Sequence, residues 1–180
     1  TKDKKDFDNI SKLIPSKEFR IYYSNDLIGT QIGGALKNIY AIAAGVAEGL
    51  NLGENAKSAL ISRSFAEMTR YAKKFKADKN TLFGLSGLGD LILTCSSKNS
   101  RNTQFGIKLA SSKYDNFLDL LKSQEVTEGY YTVKAVYNIS QKKNIDMPIM
   151  ESVYNILYKQ HDLKEELSNL LSRPITEEKI

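Results

Sequence analysis

From Leu27 to Ala47 the chain reads LIGTQIGGALKNIYAIAAGVA, a run of small and apolar residues interrupted by one charge, Lys37. A segment apolar on every face folds as a buried helix rather than a surface one, so this run predicts a buried glycine- and alanine-rich helix. The positions three and four residues from Lys37 are Gly33, Gly34, Tyr40 and Ala41, none of which carries a charge to pair with it. An ammonium group is expensive to desolvate, and a lysine kept in such surroundings is expected to be used. The other reading is a lysine that snorkels to water from the edge of the buried face.

With 180 residues the chain is one domain or slightly more, and it can bury about 70% of the surface its unfolded form exposes. The single cysteine, Cys95, excludes an intramolecular disulfide. One histidine, His161, and no cysteine pair argue against a zinc site of the usual ligands, so no metal is expected. This usage suits a reducing cytoplasm. The apolar run also carries Thr30, Gln31, Asn38, several glycines and the lysine, which make it a poor membrane span, and no charged-then-apolar leader opens the sequence. A soluble, cytoplasmic chain is expected.

A net charge of +5 and a pI near 9.1 raise the possibility of nucleic-acid binding. The lysines, however, are scattered among acids: Lys2, Lys4 and Lys5 beside Asp3 and Asp6, Lys164 beside Glu165 and Glu166. That is the pattern of a solvated helix face, and no basic stripe with interleaved aromatics occurs. Lys73, Lys74 and Lys76 cluster at the end of a helical pattern, where cations complement the negative end of the helix dipole.

Helical periodicity dominates the rest. Phe7, Ile10 and Ile14 predict a first helix that Pro15 stops, after which Phe19, Ile21 and Tyr23 alternate as in a strand. Asp26 is placed to cap the glycine-rich helix, which ends near Gly49. Ile61, Phe65, Met68, Ala72 and Phe75 recur at four and three residues and predict an amphipathic helix from about Asn55 to Phe75, followed by a turn at Asp78 to Asn80. Further helices are expected around Phe105 and Leu109, around Phe117 and Leu121, and around Val133, Val136 and Tyr137. Two more follow, one starting at Pro148 and carrying Ile149, Val153, Ile156 and Leu157, the other carrying Leu163, Leu167 and Leu170. The fold class is all-α, and the residues from Pro174 to Ile180 read as a frayed polar tail.

Two constellations besides Lys37 have the composition of a site. In GLSGLGDL the glycines allow close backbone approach, and Asp90 opens a helix whose next residues are apolar; Asp90 is either an N-cap or a functional carboxylate. In SSKNSRN, polar donors precede Arg101 at a helix start, a combination suited to a phosphate, which a guanidinium can bond through two oxygens at once. The other reading there is a capping loop with a surface arginine. No strand followed by G-x-G-x-x-G and a helix occurs, so the chain has no dinucleotide-binding fold of its own, and one histidine in a polar turn cannot complete a Ser/His/Asp arrangement.

Taken in order, GGALKNIYAIAAGVAEGL, ENAKSALISRSFAEM, GLSGLGDLILTCSSKNSRN, VTEGYYT and MPI resemble the helical C-terminal half of bacterial NAD(P)-dependent glycerol-3-phosphate dehydrogenase, from about Phe19 to Met150. The resemblance implies reversible hydride transfer between NAD or NADP and the pair dihydroxyacetone phosphate and sn-glycerol 3-phosphate, supplying phospholipid synthesis. It implies a substrate domain of the 6-phosphogluconate-dehydrogenase-like type that follows a Rossmann domain. Lys37 then matches the acid/base lysine, and Asn38 and Asp90 match polar residues beside the substrate. Thr94 matches a substrate-contacting threonine of the related eukaryotic enzymes. Ser100, Arg101 and Asn102 match the substrate-phosphate loop, with Arg101 shared with the cofactor, and Val126 and Glu128 match positions that touch the nucleotide.

The family's glycine-rich cofactor motif and a second active-site lysine have no counterpart in this sequence. Residues 1–25, a helix and a strand, are expected to be a remnant of the preceding dinucleotide-binding domain, residues 26–173 the helical substrate-binding domain and residues 174–180 the tail. The chain alone is expected to be inactive, with the nicotinamide cofactor held mainly by the absent domain. A carboxylate at Asp90 would orient the Lys37 amine, and Arg101 would spend phosphate-binding energy on placing the reacting carbon. The competing expectation is a non-catalytic helical module for binding or homodimer formation.

Overall fold

In a computed structural model of the chain, which describes residues 1–14, 19–111 and 127–174, the apolar run folds into one long helix with its neighbours packed around it. Among these residues the elements are α1 (Lys4–Ser11), α2 (Leu27–Gly49), α3 (Glu54–Lys74), α4 (Lys79–Phe83), a π-helical turn (Leu85–Gly89), α5 (Asp90–Ser96), α6 (Arg101–Ala110), α7 (Glu128–Lys143), α8 (Pro148–Lys159) and α9 (Leu163–Leu171), with no strand. The helix expected around Phe117 and Leu121 lies outside the described residues, as does the tail beyond Pro174. No helix among the described residues is long and apolar enough to cross a membrane.

Asp26 starts α2 as the sequence predicts, its carboxylate accepting the Gly29 N–H at 2.8 Å. Leu36, Ile39, Tyr40, Ile42 and Ala44 are buried in α2, against α3, α5, α6, α7 and α8. The crossing with α6 brings backbone against backbone: a Cβ on Gly45 would run into the Thr103 carbonyl, and one on Gly106 into the Ile42 carbonyl. Only glycine at both positions permits that approach. The α3 stripe also behaves as predicted, with Phe65, Met68 and Ala72 buried and Ile61 and Phe75 packed at the edge of the same core.

Two expectations are corrected. The strand over Phe19 to Tyr23 does not form, because a strand is held by a ladder with a neighbour and no strand lies beside this segment among the described residues. The segment is fastened to α1 instead: the Tyr23 ring meets Phe7 edge to face at 5.4 Å, and its hydroxyl donates to the Lys2 carbonyl at 2.9 Å. The turn at Asp78 to Asn80 is the start of a helix, α4, with the Asp78 carboxylate accepting the Asn80 N–H at 2.9 Å.

Helix α8 begins at Pro148, as expected, but its cap comes from another helix. Met147 has no side-chain oxygen to offer, and the buried Glu67 of α3 accepts the Ile149 N–H at 2.6 Å and the Met150 N–H at 3.1 Å, with the Tyr40 hydroxyl at 3.3 Å. Burial pushes the Glu67 carboxyl up to about 7 against the opposing pull of those donors. His161, in the turn before α9, lies 2.7 Å from the buried Glu166 carboxylate, which also accepts from Asn155 at 3.1 Å.

Candidate active site

Lys37 and Asn38 follow one another on α2, and the turn of about 100° per residue aims them at different neighbours. Lys37 faces α5, where its Nζ meets Asp90 Oδ2 at 2.6 Å. Asn38 faces α6 and α7. One stretch of helix therefore serves two groups of polar side chains.

The π-helical turn brings Asp90 to the lysine. Its Gly89 N–H reaches back five residues to the Gly84 carbonyl at 3.2 Å, and its Ser86 carbonyl lies so close to Gly33 of α2 that a Cβ there would collide. This seats the start of α5 directly on α2, one turn before Lys37. Asp90 is the first residue of α5 and does not cap it; the helix has no side-chain cap, and the carboxylate is spent on the lysine. Its charge also suits the positive end of the α5 dipole. The Thr94 hydroxyl, one turn on, donates to the Asp90 carbonyl at 2.6 Å and lies 3.3 Å from Asp90 Oδ1.

The pair is less enclosed than the apolar run predicts. The Lys37 and Asp90 side chains keep 24% and 29% of their exposure. Lys37 projects from α2 toward the short α5, which covers only part of it, so the pair stays partly open to solvent.

On the other side, the Asn102 amide donates to Asn38 Oδ1 at 3.0 Å and accepts the Gly129 N–H at 2.9 Å, while the Asn38 amide donates to Glu128 Oε2 at 3.0 Å. Arg101 projects outward beside Glu128, with Nη2 at 3.8 Å from Oε1 and both side chains more than half exposed. Ser100 caps α6, its hydroxyl accepting the Thr103 N–H at 3.2 Å. The structure thus places Lys37, Asp90 and Thr94 in one group and Asn38, Asn102, Arg101 and Glu128 in another, joined through consecutive residues of α2. Val126 lies outside the described residues. Cys95, next to Thr94, is buried, and burial pushes its thiol up to about 12, which leaves it no part as a nucleophile. Among the described residues no group of three or more His, Cys, Asp or Glu side chains could hold a metal ion.

Thr103 was not singled out by the sequence. It is fully buried, and its hydroxyl donates to the Thr94 carbonyl at 2.9 Å, joining the two groups from the far side. A threonine after Arg-Asn at a helix start carries no pattern that marks such a bond.

The described residues form an all-helical domain that carries an amine–carboxylate pair between α2 and α5 and an exposed guanidinium at the start of α6. The family model described as the C-terminus of NAD-dependent glycerol-3-phosphate dehydrogenase matches residues 26–168, and the chain belongs to that family. It is 45% identical over 178 residues to the NAD(P)+ glycerol-3-phosphate dehydrogenase of Solidesulfovibrio magneticus, covering 98% of this chain and 53% of that protein. It is 48% identical over 162 residues to that of Brachyspira hyodysenteriae, covering 89% of this chain and 48% of that protein. The crystal structure of the Coxiella burnetii glycerol-3-phosphate dehydrogenase superposes with a TM-score of 0.89 at 36% identity, covering 95% of this chain and 52% of that one. The chain spans about half the length of the curated relatives it matches.

Proposed function

We propose that this chain is the substrate-holding half of a glycerol-3-phosphate dehydrogenase, which interconverts dihydroxyacetone phosphate and sn-glycerol 3-phosphate with NAD(P)H in the cytoplasm and feeds phospholipid synthesis. Residues 26–173 form the substrate domain and residues 1–25 belong to the edge of a preceding nucleotide-binding domain. The observation that carries this reading is the Lys37–Asp90 pair, 2.6 Å apart and partly exposed, next along α2 to Asn38, whose side chain is bonded to Asn102 at the α6 start that also carries Arg101.

Oxidation of an alcohol needs its hydroxyl proton removed as hydride leaves the carbon, and reduction of a ketone needs a proton delivered to the oxygen. Lys37 is the group that moves this proton. Asp90 holds its Nζ in place, and the Thr94 hydroxyl fixes Asp90 in turn. Arg101, whose ion pair with Glu128 is a loose 3.8 Å and whose side chain is more than half exposed, can turn its fork to a phosphate dianion. The phosphate contact turns remote binding energy into placement of the reacting carbon at Lys37.

The residues present fit a shared hold on the nucleotide rather than a complete one. Arg101 and Glu128 offer an exposed cation and an exposed carboxylate at the rim, and the sequence has no glycine-rich loop after a strand to cradle a pyrophosphate. When bound, the nicotinamide supplies the hydride. The test is a hybrid in which this chain replaces the matching half of the Solidesulfovibrio magneticus relative. Oxidation of NADH or NADPH that depends on dihydroxyacetone phosphate supports the reading, and a folded hybrid without it refutes it.

A further inference from the structure

The two halves of the site sit on different helices, and something must hold them at one spacing. Asp90 and Thr94 ride on α5, which has only seven residues, while Arg101 and Asn102 open α6, and residues 97–100 form the loop between. Helix α5 ends at Ser96, so the Thr94 carbonyl falls among the last four, which no following helical N–H satisfies. The Thr103 hydroxyl donates to it at 2.9 Å. Thr103 cannot easily shift. It is 1% exposed, its N–H is bound to the Ser100 hydroxyl, and its carbonyl lies against Gly45 where the two backbones cross.

We propose that Thr103 is a positioning residue whose hydroxyl, bonded to the Thr94 carbonyl, sets the distance between the Lys37–Asp90 pair and the Arg101–Asn102 loop. It thereby matches the site to a substrate whose reacting carbon and phosphate are a fixed few bonds apart. This rests on the reading of the site as the dihydroxyacetone phosphate site. Without the bond, the C-terminal end of α5 loses its hydrogen bond to α6, and the start of α6 shifts relative to Asp90, which stays seated on α2. The phosphate is still held, but the carbonyl carbon no longer arrives at Lys37 in register, and a misplacement of about 1 Å costs on the order of a hundredfold in rate. A substrate without phosphate is not bound at two points, so it does not sense the spacing.

The experiment uses the hybrid described above with Thr103→Val, which keeps the shape and removes the hydroxyl, and Thr103→Ser, which keeps the hydroxyl. Thr103→Val is expected to lower kcat for dihydroxyacetone phosphate about ten- to a hundredfold with little change in KM. Its kcat/KM for unphosphorylated dihydroxyacetone should fall by less than about threefold, and Thr103→Ser should stay within about threefold of the parent on both substrates. Equal losses on the two substrates, no loss at all, or failure of serine to restore the rate would overturn the proposal. If Thr103→Val does not fold, Thr103→Ala takes its place; if neither folds, the bond serves stability alone and the proposal is overturned. A parent hybrid that folds but does not reduce dihydroxyacetone phosphate overturns the functional reading, and this inference with it. A parent that does so while Thr103→Val matches it overturns this inference only.

Discussion

Asn102 donates its amide to Asn38 Oδ1 at 3.0 Å, and the direction of that bond is fixed at both ends of a relay. The Gly129 N–H can only donate, so it claims Asn102 Oδ1; the Glu128 carboxylate is an acceptor, so it claims Asn38 Nδ2. Between a backbone donor and a carboxylate, neither amide can be reversed without losing a bond. The relay joins α2, α6 and α7 at the point where Lys37 and Arg101 emerge.

Removing the middle of that relay should therefore be costly. Asn102→Ala leaves the buried Gly129 N–H and Asn38 Oδ1 without their partner, and each orphaned group costs about 1–3 kcal/mol. Urea unfolding of the variant should show a loss of about 2–4 kcal/mol relative to the parent chain. A loss below about 0.5 kcal/mol would mean that water replaces the amide freely and that the relay does not fix the site.

Lys37→Met separates chemistry from architecture. The partner Asp90 keeps 29% exposure, so water can solvate it once the amine is gone, and stability should change by no more than about 1 kcal/mol. Turnover of the hybrid enzyme should fall by about two or more powers of ten, the size of a lost general acid/base. Retention of more than about half the parent rate would make Lys37 a lysine that merely reaches water from the edge of the core.

The burial of Glu67 gives a pH dependence with a definite sign. Its carboxyl lies at about 7 in the folded chain against 4.5 ordinarily, so the folded state holds the proton more tightly than the unfolded one. Below 4.5 both states are protonated and the group contributes nothing. As pH rises from there to 7 the unfolded chain loses its proton first, and stability falls by up to about 3 kcal/mol, remaining lower above 7. Glu67→Gln keeps an oxygen for the α8 N–H groups and removes the titration. Urea midpoints at pH 5 and pH 8 should differ less in this variant than in the parent, and an unchanged difference would show that Glu67 does not titrate in that window.

What the sequence made legible was local. The periodic stripe of α3, the Asp26 cap and Pro148 at the start of α8 are each set by residues within a turn or two, and the structure has them where expected. The alternation of Phe19, Ile21 and Tyr23 reads as a strand because period-two patterning says nothing about whether a partner strand is present. Lys37 reads as enclosed because hydropathy along a helix does not reveal which neighbour is too short to cover it. The resemblance named candidate site residues, but the pairing of Asn38 with Asn102 spans 64 positions, and that of Thr94 with Thr103 depends on how two helices end and begin. The Glu67 cap, 82 residues from Ile149, is of the same kind. Such bonds are products of packing and have no signature in either partner's surroundings.

Arg101 provides the sharpest test of where the phosphate goes. Its side chain is 58% exposed and its guanidinium stands 3.8 Å from the Glu128 carboxylate, too far for a good hydrogen bond, so the pair contributes little to folding. Arg101→Ala should leave the unfolding midpoint nearly unchanged, and any loss of activity can then be assigned to ligand binding. A lost bidentate contact to a phosphate dianion is worth roughly 2–4 kcal/mol, or about thirty- to a thousandfold in kcat/KM for dihydroxyacetone phosphate in the hybrid enzyme, mostly as a higher KM. Lysine should restore only part, since it supplies the charge without the fork. Unphosphorylated dihydroxyacetone gains nothing from the contact, so its already poor kcat/KM should change far less. Equal losses on the two substrates would place Arg101 at the nucleotide instead, beside Glu128, and the raised KM would then appear for NADH or NADPH.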